Sequence, residues 1–382
     1  MTAPLRVREI APGESLRPFI DLVWKVNARD PNWVPPLRIS LKTLLDRNKH
    51  PFHRHADVAY FLAERGGEPV GRISAHVNHL YNEYHGEKTG FFGFFECVDD
   101  AEVAGALVET AAEWLRARGQ ERMRGPMNFS TNEEMGVLVD GFDTPPNIMM
   151  THNPPYYDRL LTATGLAKRM DALAYWIGNP HPPKRLEEGV ERLARRHGAT
   201  IRPADLKRFR DEVSIVRDIY NAAWQRNWGF VPMTDAEFEF MAKELRPVVD
   251  PDLCLIAEVA GRPVGFAITI PDLNQALKHL PDGRLFPFGL FRLLWERRKI
   301  TNLRVVTLGL IPGYQYQGLG AAFYLRTFQA GALKGYKTAE ASWILEDNWE
   351  MRRALEKMGA YVYKTYRIYD KPLEAGNGSP KS

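Results

Sequence analysis

Cysteine is scarce in this sequence of 382 residues: Cys97 and Cys254 are the only two. They are too few for a disulfide framework or a four-thiolate metal site, which favours a reducing compartment. Long apolar runs are lacking too, since none reaches the roughly 18 residues of a transmembrane helix. The N-terminal stretch also lacks the apolar core of a signal peptide. We therefore expect a cytoplasmic protein.

A strong charge of either sign is also missing. The 51 Lys and Arg residues exceed the 47 Asp and Glu residues by only four, which disfavours a nucleic-acid-binding role. The ten histidines show no metal-ligand spacing such as H-E-x-x-H, so we expect no metal site. With 45% hydrophobic and 26% charged residues, the composition is that of a globular protein. The length favours two domains.

An internal repeat divides the sequence into two similar halves. Residues 61–73 read FLAERGGEPVGRI, and residues 255–267 read LIAEVAGRPVGFA, at a constant offset of 194. Each copy has an apolar strand, a Gly-containing turn and a second strand, which predicts a β-hairpin. Residues 32–35 (NWVP) and 227–232 (NWGFVP) precede the two copies in turn. The repeat predicts two lobes of one fold.

The predicted lobes cover residues 1–178 and 199–372, with a Pro-rich break at 179–184 and a flexible tail at 373–382. Strands alternate with helices in both, which predicts a mixed α/β sheet flanked by helices. In the second lobe the pattern predicts strands at 200–202, 253–260, 264–270, 303–311, 338–345 and 361–369, and helices at 206–226, 234–246, 319–334 and 349–358. An insert at 272–302 interrupts the strands.

A glycine-containing loop follows the predicted strand Arg304–Ile311. It contains Gln315, Gln317, Gly318 and Gly320 and leads into an amphipathic helix. The first amide groups of a helix lack intrahelical partners and attract anions, and glycines there let a pyrophosphate approach the backbone. No Walker-type lysine follows, and the glycine spacing misses the dinucleotide-binding fingerprint.

With this loop the sequence resembles the GNAT superfamily of CoA-dependent N-acyltransferases. Gln315-x-x-Gly318-x-Gly320 matches that family's phosphate loop, and Asn348, which opens the last helix, matches the residue that holds the pantetheine arm. The resemblance implies acyl-CoA or CoA as a co-substrate and no permanently bound cofactor. It implies that backbone groups of Leu308 and Leu310 on the fourth strand polarise the thioester.

The first half lacks the phosphate loop. The corresponding stretch, 96–101, places Asp99 and Asp100 where phosphates would bind. Carboxylates there repel a pyrophosphate and cap the helix themselves. We therefore predict two tandem GNAT lobes, each a mixed, mostly antiparallel sheet. The second binds CoA, and the first, degenerate lobe shapes the acceptor site.

The family's usual acid, a tyrosine seven residues after the pantetheine asparagine, is replaced here by Leu355. Candidate bases in the second lobe are Glu340, Glu346 and Asp347, and strand alternation puts Glu340 and Glu346 on one face. Each carboxylate can equally be a solvated group or a helix cap, which is the favoured interpretation of Asp347. A relay through other groups, or direct attack by a positioned amine, fits the sequence equally well.

A second polar cluster lies in the irregular stretch 125–157 of the first lobe. His152 is the best single candidate for a general base, because its reference pKa suits proton transfer near neutral pH. Tyr156 is a further catalytic candidate, and Asn153 is a candidate for the acceptor pocket. A lone histidine is more often structural, and Tyr156 can equally belong to the core.

Two aromatic features point to the acceptor. Trp224, Trp228 and Phe230 lie at the end of the first helix of the second lobe and in the loop after it. They can form an apolar wall for a lipid-like acceptor, or ordinary packing under a loop. Residues 284–299 interleave bulky apolar residues with basic ones, which is typical of peripheral membrane contact. This segment can also be a lid over an acyl chain or a packed helical insert.

The strings RGPMNFSTNEEMG, MMTHNPPYY and NWGFVPM resemble a bacterial tandem-GNAT group linked to ceramide synthesis. That resemblance implies transfer of a fatty acyl group, from acyl-CoA or a carrier-protein thioester, to the amine of a sphingoid base. One alternative is an N-acetyltransferase acting on a small amine or a peptide. Another is a non-catalytic scaffold that binds acyl-CoA.

Overall fold

The computed structural model describes residues 3–178, 187–189, 192, 198–315 and 318–374. The predicted Pro-rich break at 179–184 and most of the predicted tail, from 375, lie outside these residues. The strands are β1 Leu5–Glu9, β2 Ala56–Arg65, β3 Glu68–Asn78, β4 Thr89–Cys97, β5 Arg122–Gly125, β6 Val137–Asp140, β7 Ala167–Ile177, β8 Ala199–Pro203, β9 Cys254–Val259, β10 Arg262–Pro271, β11 Asn302–Leu310, β12 Thr338–Leu345 and β13 Tyr361–Pro372.

Helices flank these strands. Those in the described residues outside 187–192 are α1 Arg17–Asn27, α2 Arg38–Leu45, α3 His79–His85, α4 Ala101–Arg116, α5 Tyr157–Thr162, α6 Phe209–Ala223, α7 Asp235–Leu245, α8 Asn274–Leu277, α9 Gly289–Glu296, α10 Leu319–Leu333 and α11 Trp349–Lys357. Short 3-10 turns lie at Pro51–Arg54, Leu206–Arg208, Pro251–Leu253 and Arg297–Lys299. In the described part of the chain, no helix combines the length and apolarity needed to cross a bilayer.

The chain divides into two compact units. Within residues 1–171, 281–284 and 365–382, the described part forms unit 1, whose strands follow the order β1-β2-β3-β4-β5-β13. Only the β4–β5 pair of this order is parallel. Helix α4 packs on this sheet through one apolar stripe, formed by Val103, Leu107, Ala111 and Leu115. Their spacing of four residues gives one buried helix face.

Unit 2 contains residues 172–280 and 285–364. Its strands follow the order β7-β12-β11-β10-β9-β8, with β11 and β12 as the parallel pair. Leu319 and Phe323 of α10 are buried against the sheet. Each unit is therefore a mixed, mostly antiparallel sheet with flanking helices, as the sequence predicts.

The repeated hairpins are confirmed. Strands β2 and β3 pair Ala63 with Gly71, and strands β9 and β10 pair Ala257 with Gly265. The register shifts close to this pair in both hairpins, so the two copies share an irregularity as well as a sequence. An insert between β10 and β11 occupies the predicted position.

The strands that end the two sequence halves do not stay with their own half. Ala172–Ile177 of β7 pairs with β12 within unit 2. From Thr365 onward, β13 pairs with β5 and β6 within unit 1. Each compact unit therefore includes the strand that ends the other half of the sequence. The lobe boundaries drawn along the sequence remain a prediction.

Candidate functional site

The two parallel strands of unit 2 separate partway along their length. Strands β11 and β12 pair from Asn302 with Thr338 to Val305 with Ala341, and both strands then continue without further pairing to each other. The register between β10 and β11 skips Val306 at this point, which indicates a β-bulge. We call the space between residues 306–310 and 342–345 the β11–β12 gap.

Helix α10 begins next to the end of β11. Its N-cap, Gly318, has a φ of 74°, which favours glycine, and no described side chain caps the helix. A Cβ atom added to Gly320 would meet no described heavy atom within 4 Å. The first turn therefore offers amide groups with open space above Gly320, a cradle that fits a pyrophosphate. Gln315 is exposed in the preceding turn, whereas Gln317 lies outside the described residues.

The other predicted CoA-binding residues belong to the elements around this gap. Leu308 and Leu310 lie on β11 beyond its last pair with β12; Leu310 belongs to the same apolar cluster as Phe323, and Leu308 packs against that cluster. The amide oxygen of Asn348 accepts a hydrogen bond from the Met351 N–H at 3.2 Å, so Asn348 caps α11. Their predicted contacts with CoA remain predictions.

Glu340 is fully buried at the base of the gap and belongs to a polar network. The hydroxyls of Ser342 and Tyr363 donate hydrogen bonds to its two carboxylate oxygens. The Arg304 Nε donates to the Ser342 hydroxyl at 3.0 Å, and the guanidinium lies 3.7 Å from the Glu340 carboxylate. Sequence reasoning selected Glu340 and missed its three partners, which come from three different strands.

Glu346 follows the end of β12. The register between β12 and β7 shifts between Ala341 and Ile344, so the alternation used to place Glu340 and Glu346 on one face is interrupted. The Glu346 backbone carbonyl accepts a hydrogen bond from Arg352 at 2.7 Å, which fixes the turn before α11. A role for Glu346 as a base remains a prediction.

The equivalent gap in unit 1 is closed by the chain itself. Strands β4 and β5 pair from Thr89 to Phe91, after which the Met127 N–H donates to the Phe92 carbonyl at 2.8 Å. The side-chain oxygen of Asn128 accepts from the Phe94 N–H at 2.7 Å. A Cβ atom on Gly93 would lie only 1.9 Å from the Met127 carbonyl oxygen. The backbone of residues 127–128 therefore occupies the space where β4 and β5 separate.

The helix start in unit 1 differs as well. Asp100 caps α4 by accepting hydrogen bonds from the Glu102 and Val103 N–H groups. The Arg65 side chain pairs with this carboxylate at 2.6 Å. Its hydrogen bond lowers the pKa of Asp100 by more than burial raises it, so the pKa lies below its usual value. The expectation that an acid here caps its own helix is confirmed for Asp100, whereas Asp99 pairs with Arg159.

His152 is held in a partly buried pair with Asp30. Its Nε2 lies 2.8 Å from the Asp30 carboxylate, and its side chain is 2% exposed. Burial alone would raise the pKa of Asp30, but hydrogen bonds from His152 and the Asn32 N–H outweigh it, so the pKa is lowered. The structure joins two residues that are far apart in the sequence, and the role of His152 as a base remains a prediction.

The neighbouring candidates have structural partners. The Tyr156 hydroxyl donates to the Cys97 carbonyl at 2.8 Å, and burial raises the pKa of this tyrosine. Asn153 is buried, accepts from the Leu138 N–H at 2.8 Å and donates to the Leu138 carbonyl at 3.2 Å. Both side chains therefore fix the irregular stretch within unit 1; their catalytic and acceptor roles remain predictions.

The predicted aromatic wall reaches β11. Trp224 stacks on Tyr220, with ring centroids 4.6 Å apart, and it covers Gly309, where a Cβ atom would lie 2.1 Å from the indole ring. Phe230 is buried and Trp228 is partly exposed. Trp224 thus lies against the part of β11 that borders the β11–β12 gap.

The segment 284–299, which we call the aromatic–basic segment, is anchored at one side and exposed at the other. Leu293 of α9 is buried, and Arg297 donates to the Pro247 carbonyl at 2.8 Å. Five large apolar side chains are between 50% and 77% exposed. They are Phe286, Phe288, Phe291, Leu294 and Trp295.

Comparison with known proteins gives both relatives and structural neighbours, although no family model matches the sequence. The sequence is 37% identical over 379 residues to Protein YghO of Escherichia coli (strain K12), covering 96% of this chain and 95% of that protein. It is 37% identical over 378 residues to the bacterial ceramide synthase of Caulobacter vibrioides, covering 97% and 98% of the two chains.

Two solved structures share the fold at low sequence identity. A tandem GNAT protein from the clavulanic acid biosynthesis pathway has a TM-score of 0.59 and 12% identity, covering 99% of this chain and 100% of that one. A GCN5-related N-acetyltransferase from Sphaerobacter thermophilus has a TM-score of 0.52 and 15% identity, covering 97% of each chain.

Proposed function

This chain belongs to the tandem GNAT superfamily of N-acyltransferases, and from that membership we propose that it transfers a fatty acyl group from acyl-CoA to the amine of a sphingoid base. The chain is an acyltransferase of GNAT type. The acceptor is proposed because a relative with 37% identity carries the name bacterial ceramide synthase.

One observation carries the proposal for CoA: β11 and β12 separate beside a helix start that no described side chain caps. An extended pantetheine arm would fit between strands that separate in this way, and the pyrophosphate of CoA would bind unpaired amide groups at the helix start. Unit 1 has neither, because Asp100 caps its helix and the Met127 backbone fills its gap. We infer one CoA site per chain, in unit 2, with Gly318, Gly320 and Asn348 among its residues.

The apolar surroundings of the gap support a lipid acceptor. Trp224 covers Gly309 on β11, so a large aromatic face borders the place where the thioester would lie. A sphingoid base brings a long alkyl chain, whose burial against such a face is favourable at about 0.8 kcal/mol per methylene group.

The test is product formation by purified protein. Palmitoyl-CoA and acetyl-CoA are each supplied with sphinganine or with ethanolamine, and the N-acyl products are quantified by mass spectrometry. We expect N-palmitoyl-sphinganine to form at least about tenfold faster than either acetylated product, since long-chain groups add apolar binding. Preferred acetylation of ethanolamine would replace this function with a small-amine N-acetyltransferase. Stabilisation by palmitoyl-CoA without turnover of any amine would favour the non-catalytic scaffold.

We further propose that the aromatic–basic segment contacts the membrane that supplies the lipid acceptor. It holds five basic residues and one acidic residue, so its net charge of +4 equals that of the whole chain. Phe288, Phe291 and Trp295 recur at helical spacing on the exposed side of the segment. Exposed aromatic side chains beside Lys and Arg are typical of helices that lie in the interface of anionic bilayers.

Vesicle sedimentation tests this contact. The protein should sediment with vesicles containing phosphatidylglycerol and remain unbound with phosphatidylcholine alone. Combining Phe288→Ser, Phe291→Ser and Trp295→Ser should lower binding at least about fivefold, because each aromatic group inserted into the interface adds apolar area. Leu333→Ser, which changes a 90% exposed side chain on α10, is the matched control. Equal binding by the triple variant and the control would contradict membrane contact through this segment.

A further inference from the structure

We propose that Tyr363 and Glu340 form a proton relay, in which Tyr363 contacts the acceptor amine and Glu340 stores the proton behind it. The inference rests on the proposed function, because it assigns residues to the amine-transfer step. It also supplies a group for the acid that is absent at Leu355, whose apolar side chain is fully buried.

Burial decides the order of the two groups. Glu340 has no exposed surface and Ser342 is 3% exposed, whereas Tyr363 is only partly buried. Both carboxylate oxygens of Glu340 already accept hydroxyl hydrogen bonds, one from Ser342 and one from Tyr363. A substrate amine therefore reaches the carboxylate most directly through the Tyr363 hydroxyl.

The strand register places the relay next to the β11–β12 gap. Arg304 pairs with Glu340, and Glu340 pairs with Trp176, so these three side chains lie on one face of the sheet of unit 2. The Tyr363 ring lies 5.3 Å from the Trp176 ring. The next pair, Val305 with Ala341, is the last before β11 and β12 separate.

A second polar group, the Thr307 hydroxyl, lies on β11, the strand that also carries Arg304. Thr307 lies on β11 just past the bulge, and its hydroxyl is buried with no hydrogen-bond partner among the described residues. A buried hydroxyl without a partner is costly. An amine or hydroxyl of the acceptor bound at the gap would give this hydroxyl a partner, which places the acceptor head group near the relay.

The reaction balances with these groups alone. The acceptor loses one proton to water and binds as the neutral amine. Its nitrogen forms the C–N bond with the thioester carbon; the amine proton moves to the Tyr363 oxygen as the Tyr363 proton moves to Glu340. The C–S bond then breaks, its electron pair stays on sulfur, and the proton returns through Tyr363 to the thiolate. The products are the amide and the CoA thiol.

Arg304 and Ser342 are positioning residues in this scheme. Arg304 is 2% exposed, and its guanidinium lies 3.7 Å from the Glu340 carboxylate, so the two opposite charges hold each other in place. Ser342 accepts from Arg304 and donates to Glu340, which fixes the carboxylate so that its other oxygen faces the Tyr363 hydroxyl.

The test compares Tyr363→Phe with Tyr361→Phe. The first keeps the ring beside Trp176 and removes the hydroxyl; the second is a matched change at a 57% exposed tyrosine on the same strand. We expect Tyr363→Phe to lower kcat at least about 100-fold, the usual range for a lost general acid–base group. The Kd for acyl-CoA and the melting temperature should stay at the values of Tyr361→Phe.

A double-variant cycle adds a readout that a structural role would not move. If Tyr363 and Glu340 act as one unit, Tyr363→Phe combined with Glu340→Gln should lose no more kcat than the more damaging single variant. Turnover by Tyr363→Phe within twofold of Tyr361→Phe, with an active wild type, would overturn the relay alone. A wild type that acylates no amine would overturn the proposed function first and the relay with it.

Discussion

His76 is a residue whose protonation state is set entirely by its surroundings. It is fully buried, stacks on Phe91 with ring centroids 5.6 Å apart, and its Nε2 lies 2.8 Å from the Phe129 carbonyl. Burial lowers the pKa of His76 to about 3 and, together with the nearby His50 and Arg47 charges, lowers that of His53 to about 4. Both rings are therefore neutral in the folded protein at neutral pH.

We predict that acid destabilises unit 1 through these histidines. Unfolding restores the ordinary pKa of 6.5, so the unfolded chain takes up protons below that pH and the folded chain does not until about pH 4 or 3. The contribution of these neutral histidines to the free energy of unfolding is present above pH 6.5 and is lost as the pH falls below it. His76 alone should cost about 2 kcal/mol between pH 7 and pH 5, measurable by urea denaturation at the two pH values.

His76→Gln should reduce this difference between the two pH values by about the same 2 kcal/mol. His79→Gln is the control, because the His79 side chain is 58% exposed. An unchanged pH dependence in His76→Gln would show that other groups titrate instead.

Single residues also show what the sequence can reveal about the site. Gly318 and Gly320 are recognisable because their spacing and their place before a helix are local features of the chain. The chemistry of His152 makes it a candidate, but its pairing with Asp30, 122 positions earlier in the sequence, depends on the fold. Arg304 and Tyr363 gave no local signal, because a buried network becomes visible only when the order of the strands is known.

Two helices show how the same element can be closed to a ligand or left available. Asp100 caps α4, whereas α10 starts at Gly318 with no side-chain cap from a described residue. The Asp100 carboxylate accepts hydrogen bonds from the amide groups and neutralises the positive potential at the start of α4, so an anion is not attracted there. The α10 start keeps both attractions.

We predict that Gly320→Val raises the Kd for CoA at least about tenfold, a loss of about 1.4 kcal/mol. The added side chain would occupy the open space where the pyrophosphate would approach the backbone. Gly105→Val is the matched control, because a Cβ atom at this α4 position also meets no described atom within 4 Å. Titration calorimetry measures the Kd, and thermal melting should give the same stability for both variants. Equal Kd values would rule out the phosphate-loop assignment.

Predictability at this scale follows the range of the interactions. The β2–β3 and β9–β10 hairpins were predicted because strands and turn are contiguous and the same letters occur twice. The closure of the gap in unit 1 was not, since it depends on Met127 and Asn128 reaching back to β4. The acids at 99 and 100 predicted that phosphate does not bind at this helix start, but they did not predict the backbone that closes the gap.

On the scale of the whole molecule, the compact units are not the two sequence halves. The described part of unit 1 includes β13 from Thr365, which pairs with β5 through Tyr369 and Gly125. Tyr369 is fully buried in the core of that unit, and Asp370 pairs with Arg122 at 3.1 Å. Sequence reasoning found the repeat but assigned each closing strand to its own half, because strand pairing partners are not encoded locally.

We predict that a fragment of residues 1–178 does not fold by itself. It would lack β13, so β5 would have an unpaired edge and the core around Tyr369 would have a cavity, a loss of about 3–5 kcal/mol for the aromatic side chain alone. Circular dichroism should show no cooperative melting for this fragment, in contrast to the full chain. A cooperative transition near that of the full chain would mean that β13 is dispensable.

The placement of β13 also determines when the sheet of unit 1 can be completed during translation. A ribosome releases the residues of β1 early, yet the sheet that contains them gains its last strand only when Thr365–Pro372 has been translated. The sheet begun by the first half of the polypeptide therefore remains incomplete until β13 has been translated. A nonsense codon that removes β13 would disable the part of the protein that was made first.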